Sequence, residues 1–171
     1  MRTREFTFAL LVGGFDVNDD QHIGAFYAHG LDDATAEDRG DHALVTFYRE
    51  ASAPDAALWS AIGDLREALP GCRVLRVDDQ LVNAADVAAM TGRTPESIRQ
   101  LAAGTRGPGG FPTPAGVVGN GVKIWRWAEV QPWLAAHGIG TDAETLPAEV
   151  VAEANAELVR HPSGTSARQP L

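Results

Sequence analysis

Cysteine is almost absent from this 171-residue sequence, which contains Cys72 alone. A single thiol excludes an internal disulfide and any cysteine-based zinc cluster, and we expect Cys72 at a buried strand position, where a thiol behaves as a small hydrophobe. The five histidines show no metal-ligand spacing, and no His-x-Glu pair is present. These absences predict a protein that holds no metal and uses no cofactor.

Long hydrophobic runs and nucleotide-binding loops are absent as well. No apolar run approaches the roughly 20 residues that a membrane-spanning helix needs. The opening residues, MRTREFTFALLVGGFD, combine basic side chains with a short apolar run, but its alternation and the acidic stretch DVNDD after it favour a strand over a secretion signal. The glycine pair in LLVGGFD lacks the further glycines or the lysine of a phosphate-binding loop. We therefore expect a cytoplasmic protein that does not bind membranes and is not an enzyme.

Basic residues are scarce and unevenly distributed. The chain has 14 Lys and Arg against 23 Asp and Glu, a formal net charge of −9. Residues 1–80 carry a net charge of −8, residues 81–140 carry +2, and residues 141–171 carry −3. The middle segment is therefore the one part of the sequence that would not repel an anionic partner.

The first 80 residues show the periodicities of alternating strands and helices. EFTFALLV places apolar side chains at every second position, as a strand does, whereas NDDQHIGAFYAHG has helical spacing behind a candidate N-cap, Asn18. HALVTFYRE is rich in strand-forming residues, and Arg39-Gly40-Asp41 before it is typical of a hairpin turn. CRVLRV supplies the last strand. Before it, a second helix carries an apolar stripe that consists of Leu58, Ile62, Leu65 and Leu69.

The resulting order, β-α-β-β-α-β, predicts an α+β fold. Residues 1–80 are expected to form a ferredoxin-like βαββαβ sandwich, in which both helices cover one face of an antiparallel sheet. The acidic stretch DDATAEDRGD inside this domain favours a solvated loop, and a site for a hard cation is the alternative.

A different pattern begins after residue 80. NAADVAAMTG predicts a short helix capped by Asn83, with Asp86 three residues later in the manner of a capping box. A tight turn, Gly92-Arg93, leads to a second helix, residues 94–103. The inward faces of the two helices are predicted to consist of Val87, Ala88, Met90, Ile98, Leu101 and Ala102. Two short helices joined by a glycine-containing turn form the helix-turn-helix layout.

A glycine-rich loop, a hairpin and a third helix complete this segment, residues 81–139. GTRGPGGFPTP cannot continue a helix. Asn120-Gly121 within AGVVGNGVKIW is a strong hairpin signal, so residues 115–125 are predicted to form a β-hairpin. RWAEVQPWLAAHG then predicts the third helix.

Over residues 81–137 the motifs VNAADVAAMTGRTPESIRQL, GFPTP and VKIWRWAEVQPWLAA resemble the excisionase-like, MerR-related winged helix-turn-helix domain of AlpA-type phage and actinobacterial regulators. In that family a helix-turn-helix precedes a GFP.P segment, a hairpin wing and a tryptophan-containing closing helix. The chain departs from the family in the long loop AAGTRGPGG, in Arg93 at a usually apolar turn position, and in Trp127 where Ser or Asp is the common cap. Pro132 predicts that the third helix starts late or bends.

The resemblance implies that the second helix lies in the major groove of double-stranded DNA, with its N-terminal part nearest the base edges. The DNA contacts that it implies are Thr94, Ser97, Arg99, Gln100, Arg106 and Lys123. Arg99 would pair with guanine and Gln100 with adenine, while Lys123 on the wing and Arg106 in the glycine loop would reach the backbone or the minor groove. The alternative is that Arg99 and Gln100 are ordinary solvated helix residues. Core positions are favoured over a base-stacking platform for Trp125, Trp127 and Trp133.

Residues 140–171 form a third segment. An amphipathic helix is predicted over residues 140–160, and its apolar face would consist of Leu146, Val150 or Val151, Ala154 and Leu158. The final stretch, HPSGTSARQPL, has no periodicity and is predicted to be disordered.

Two functions remain open at this point. The first is a sequence-specific DNA-binding protein, namely a bacterial transcriptional regulator that acts as a homodimer through the N-terminal sheet or the helix at 146–158. Its N-terminal domain would serve dimerisation, ligand sensing or partner recruitment. The alternative is a protein-interaction adaptor or antitoxin-like protein whose acidic N-terminal domain binds a partner protein.

Overall fold

Eight strands and six helices lie within residues 2–140 and 144–162, the parts of the chain that the computed structural model describes. The strands are Arg4–Gly13 (β1), Ala34–Asp38 (β2), Ala43–Ala51 (β3), Arg73–Val77 (β4), Leu81–Val82 (β5), Gly116–Val118 (β6), Val122–Arg126 (β7) and Glu144–Thr145 (β8). The helices are Asp20–Ala28 (α1), Pro54–Ala68 (α2), Ala84–Thr91 (α3), Pro95–Ala103 (α4), Trp127–Ala136 (α5) and Ala148–Arg160 (α6). This mixture of helices and antiparallel sheets confirms the predicted α+β class. Of the tail predicted to be disordered, residues 163–171 lie outside the described part.

The chain divides into two compact units. The large unit contains the residues up to Asp78 and those from Glu149 onward, and the small unit contains residues 79–148. The sequence predicted three segments instead, with the C-terminal helix apart from the first 80 residues. In the structure this helix belongs to the large unit. No helix in the described ranges is long and apolar enough to cross a membrane.

The large unit is built on an antiparallel sheet with the strand order β2-β3-β1-β4. Alternate residues of β1 and β3 are buried, because successive side chains of a strand point to opposite faces. Phe8 lies opposite Phe47 in the register, and their rings stack with centroids 5.5 Å apart. The predicted stripe of α2 is confirmed, since the following side chains are all buried: Leu58, Ile62, Leu65 and Leu69.

The N-cap of α1 differs from the prediction. Asp19, rather than Asn18, caps the helix, and its carboxylate accepts hydrogen bonds from the backbone N–H groups of Gln21 and His22. Asn18 instead donates from Nδ2 to Asp38 Oδ2 at 3.1 Å, which joins the start of α1 to the end of β2. Both residue types make good caps, and here the side chain of Asn18 bonds to a distant strand in place of capping the helix.

Cys72 does not occupy the buried strand position that the sequence predicted. It precedes β4 and is half-buried, and its thiol donates to the backbone carbonyl of Gly14 at 3.0 Å. Burial raises the pKa of the Cys72 thiol above its ordinary value.

The acidic stretch between α1 and β3 is not a simple solvated loop, because its residues from Ala34 to Asp38 form β2 and pair with β3. Asp33, just before β2, binds Arg49 on β3 with Nε–Oδ2 and Nη2–Oδ1 distances of 2.5 and 3.1 Å. Asp64 on α2 accepts from Arg49 Nη1 at 2.7 Å. Burial by itself would lower the pKa of the Arg49 guanidinium, but the hydrogen bonds to the two carboxylates outweigh it, and the pKa is raised.

The last helix of the large unit begins later than predicted. Leu146 is buried but precedes α6, and Val151 rather than Val150 is the buried member of the valine pair. Asn155 explains why this helix joins the large unit: its side-chain oxygen accepts from the Val77 N–H at 2.8 Å, and its Nδ2 donates to the Val77 carbonyl at 3.1 Å. The helix thus satisfies backbone groups of β4, the strand at the end of the sheet order.

Candidate nucleic-acid interface

Helix α3 and the turn after it place the start of α4. The predicted capping box is confirmed: Asn83 Oδ1 accepts from the Asp86 N–H at 3.0 Å, and Asp86 Oδ2 accepts from the Asn83 N–H at 2.9 Å. Gly92 ends α3 in the left-handed conformation with φ of 66°, which glycine adopts without the cost that a side chain would add. Arg93 then donates its N–H to the Ala88 carbonyl at 3.0 Å, and its side chain is exposed. The Arg93 side chain therefore lies outside the core.

Helix α4 has one buried face and one polar face. Thr94 caps it by accepting the Ser97 N–H at 3.2 Å, and Pro95 occupies the first helical position, where the missing N–H costs nothing. Ile98 and Leu101 are buried. The opposite face carries Glu96, Arg99, Gln100 and Ala103, which recur at the i, i+3, i+4 and i+7 spacing of a single helix face.

The predicted contact residues of α4 are not equivalent in the structure. Arg99 is exposed, whereas Gln100 and Ser97 are half-buried. Ser97 lies one turn before the buried Leu101, so it flanks the polar face rather than occupying its centre. The Thr94 hydroxyl accepts the Ser97 N–H and still has its own proton to donate. The structure thus brings Arg99 and Gln100 together on one face, with Thr94 at the N-terminal end of the same helix.

Glu96, which the sequence did not predict as a site residue, contacts both Arg99 and Gln100. Glu96 Oε2 lies 3.5 Å from Arg99 Nη1, and Glu96 Oε1 accepts from Gln100 Nε2 at 3.3 Å. The spacings i+3 and i+4 are those at which helix side chains meet. Helical spacing alone therefore predicts that Glu96 can contact Arg99 and Gln100, but it does not show which of the two Glu96 binds.

Arg106 is anchored near the C-terminal end of α4. The Gln100 carbonyl accepts the N–H groups of Thr105 at 3.1 Å and of Arg106 at 3.3 Å, which folds the loop back onto the helix. Gly107 lies so close to the helix that an added Cβ would meet Leu101 Cδ2 at 2.7 Å. Arg106 is exposed and lies beyond the C-terminal end of α4, at the opposite end of the helix from the Thr94 cap.

The predicted hairpin is confirmed as β6 and β7 around a turn at residues 119–121. Lys123 is exposed and lies opposite Val117 in the register. Val117, Val118 and Val122 are also exposed. The tip of the hairpin is therefore apolar with a single cation, and β7 joins it to β5 in the sheet order β5-β7-β6.

The tryptophans divide between the core and its edge. Trp125 and Trp127 are buried in the core of the small unit, as predicted, while Trp133 is half-buried beside it. Trp125 Nε1 donates to the Pro112 carbonyl at 2.9 Å, and the Phe111 ring packs edge-on against both Trp125 and Trp133. These contacts hold the GFPTP segment against β7 and α5. Met90, predicted to face inward, is instead 47% exposed.

Helix α5 does not start late. Trp127 is its first residue, and the Trp127 N–H donates to the Gln80 carbonyl at 3.0 Å, so a backbone group from beside β5 replaces the missing side-chain cap. The helix continues through Pro132 to Ala136.

The small unit is less basic than the sequence segment suggested. Residues 79–148 contain five basic and six acidic residues, which gives a net charge of −1 in place of the +2 of residues 81–140. Two of the five cations lie near carboxylates, Arg99 near Glu96 and Arg126 near Asp79 at 4.0 Å. Within the described residues no group of three or more His, Cys, Asp or Glu is arranged to hold a metal ion.

Comparisons with protein-family models, with curated proteins and with solved structures find no match for this chain.

Proposed function

We propose that the small unit is a winged helix-turn-helix DNA-binding domain of the excisionase-like, MerR-related kind, and that the protein is a sequence-specific double-stranded DNA-binding regulator of bacterial transcription. The observation that carries this proposal is the polar face of α4. It carries the exposed Arg99 and the half-buried Gln100 on a helix that is capped by Thr94 and held to the core by Ile98 and Leu101.

The arrangement of elements supports this fold assignment. Helices α3 and α4 meet across a turn of three residues, 92–94, and the hairpin β6–β7 follows them with β5 beside it. In the large unit, β1 and β3 are neighbours although they come from different β-α-β halves, as the split arrangement of a ferredoxin-like sandwich requires. We propose a ferredoxin-like domain there for that reason.

The chemistry of docking follows from the geometry of α4. With its N-terminal half in the major groove, Arg99 can pair with the O6 and N7 atoms of guanine, and Gln100 with the N6 and N7 atoms of adenine. Each such pair discriminates against the wrong base by about 1–3 kcal/mol. The Thr94 hydroxyl proton is available to a phosphate oxygen. Arg106, beyond the other end of the helix, and Lys123 on the hairpin would contact the backbone on either side.

Electrostatics limits how tightly one copy can bind. At most about five phosphates can be neutralised by the cations of the small unit, so log K against log salt should have a slope no steeper than about −4.5. A net charge of −1 further weakens non-specific binding, which depends almost entirely on charge. We therefore expect two copies to bind two half-sites. Sedimentation that finds only monomers at micromolar concentration, with and without DNA, would contradict this.

The experiment selects bound duplexes from a randomised pool with the full chain, in moderate salt. The double variant Arg99→Ala, Gln100→Ala is expected to lose the sequence preference of the wild type while keeping its circular dichroism spectrum. Arg160→Ala is the matched control, because it removes an exposed arginine from α6 of the large unit. A double variant that selects the same sequences as the wild type would show that α4 does not read bases.

A second candidate function is supported by the acidic surface near the start of α1. Asp16, Asp20 and Asp38 are exposed there, and the Asn18–Asp38 hydrogen bond joins the segment before α1 to the end of β2. Such a surface suits a basic protein partner, as in an adaptor or antitoxin-like protein. A wild-type chain with no sequence preference at all would favour this function over the first.

A further inference from the structure

The carboxylate of Glu96 lies between the two side chains that are proposed to read bases. It is 3.5 Å from Arg99 Nη1 and accepts from Gln100 Nε2 at 3.3 Å, and it is the one acidic residue in α4. Glu96 is also the second residue of the helix, in the N-terminal turn that approaches a base edge first in the proposed docking. An acidic group at this position would meet the DNA before Arg99 does.

A carboxylate in the major groove meets few base edges that it can bind. It only accepts hydrogen bonds, whereas guanine and thymine present only acceptors there. The donors available to it are the amino groups of cytosine N4 and adenine N6. Phosphate oxygens would repel it. A sequence without an amino group within its reach therefore desolvates the Glu96 carboxylate without a base donor to replace the lost water, which weakens binding.

Stability accounts for the negative charge of Glu96 but not for its contacts. A carboxylate in the first turn of a helix interacts favourably with the helix dipole, by about 0.3–1 kcal/mol. Its exposed ion pair with Arg99 adds little, since solvent screens it and both side chains must be ordered to form it.

We propose that Glu96 is a specificity-determining residue, an inference that rests on the proposed DNA-binding function. It positions Arg99 and Gln100 against each other and restricts the binding site to sequences that offer a cytosine or adenine amino group beside the guanine read by Arg99. Specificity then comes from rejection of wrong sequences as well as from attraction to the right one.

The test repeats the selection from a randomised duplex pool with the full-length wild type, Glu96→Gln and Glu153→Gln. Glutamine keeps the length of the side chain and can still accept from Gln100, but its amide also donates, so it tolerates the acceptor edges that a carboxylate rejects. Glu153→Gln removes the same charge from an exposed position of α6, which makes it the control for net charge.

The wild type is expected to require cytosine or adenine at one position next to a preferred guanine. In Glu96→Gln the preference at that position should relax by about tenfold, with the guanine preference retained. Glu153→Gln should select as the wild type does. If Glu96→Gln and the wild type select identical sequences, the role of Glu96 is wrong and DNA reading by α4 stands. If the wild type shows no sequence preference, both proposals are overturned.

Discussion

The large and the small unit use arginine in opposite ways. In the large unit the Arg49 side chain is only 12% exposed and is bound by Asp33 and Asp64, from the start of β2 and from α2. In the small unit the Arg99 side chain is 61% exposed, and the carboxylate nearest to it comes from its own helix, 3.5 Å away. The first guanidinium is committed to holding three segments together. The second remains exposed to solvent, so the two arginines differ in burial and in the origin of their carboxylate partners.

The cores of the two units differ as well. The large unit buries Phe6 and Phe47 of the neighbouring strands β1 and β3 together with Phe26 of α1, and these are among its least exposed side chains. The small unit buries Trp125 and Trp127 against short helices, with glycine turns between its elements. The large unit thus depends on a sheet and its core, while the small unit depends on turns that orient one exposed helix.

Phe47→Ala is expected to have the largest effect, because the ring is fully buried and stacks on Phe8. The loss should be about 3–5 kcal/mol of the free energy of unfolding of the large unit. Denaturant unfolding followed by circular dichroism and by tryptophan fluorescence measures it, and three of the four tryptophans report on the small unit. The fluorescence transition should stay where it is in the wild type. A single transition shifted equally in both signals would mean that the two units unfold as one.

Arg49→Ala and Arg99→Ala form a matched pair. Removing Arg49 leaves two half-buried carboxylates without their cation, and we expect a loss of about 2 kcal/mol, less than for a fully buried pair because Asp64 is partly solvated. Arg99→Ala should change the free energy of unfolding by no more than about 0.5 kcal/mol, as an exposed substitution does. If thermal or denaturant unfolding shows that both variants lose the same free energy of unfolding, the proposed difference in role between Arg49 and Arg99 is wrong.

Gly107→Ala and Gly92→Ala probe the turns of the small unit and should each have a smaller effect than Phe47→Ala. Both glycines have positive φ, at 80° and 66°, so alanine at either position costs about 1 kcal/mol. At Gly107 the new methyl group would also lie 2.7 Å from Leu101 Cδ2, whereas at Gly92 nothing lies within 4 Å. Gly107→Ala should therefore lose up to about 1 kcal/mol more. A Gly92 variant less stable than the Gly107 variant would show that the loop does not pack against α4 as described.

Prediction from the sequence succeeded where the cause is local. The capping box of Asn83 and Asp86, the hairpin at Asn120-Gly121 and the stripe of α2 all depend on residues a few positions apart, and all are present. Prediction failed at the start of α1, where two adjacent residues could each cap the helix. Asn18 and Asp19 are both good caps, and in the structure Asp19 caps α1 while Asn18 bonds to Asp38.

The candidate site was predicted in part for the same reason. Arg99 and Gln100 were placed on the outer face by helical spacing, which holds for any helix. The same spacing places Glu96 in contact with both side chains, at i+3 and i+4. Ser97 is half-buried, and the loop at Arg106 folds back to the Gln100 carbonyl. Both features depend on tertiary packing, which the spacing of residues in the sequence does not predict.

The sequence by itself determined where most helices and strands lie, how α3 and α4 are capped, and which residues can form a polar face, because these properties follow from interactions within one or two turns of chain. Only the tertiary structure decided that α6 belongs with the first sheet, that Arg49 is bound by two carboxylates, and that Met90 is exposed. Each of these depends on groups brought together from distant parts of the sequence. Asn155 and Val77, 78 positions apart, are joined by two hydrogen bonds that the residues around either position do not predict.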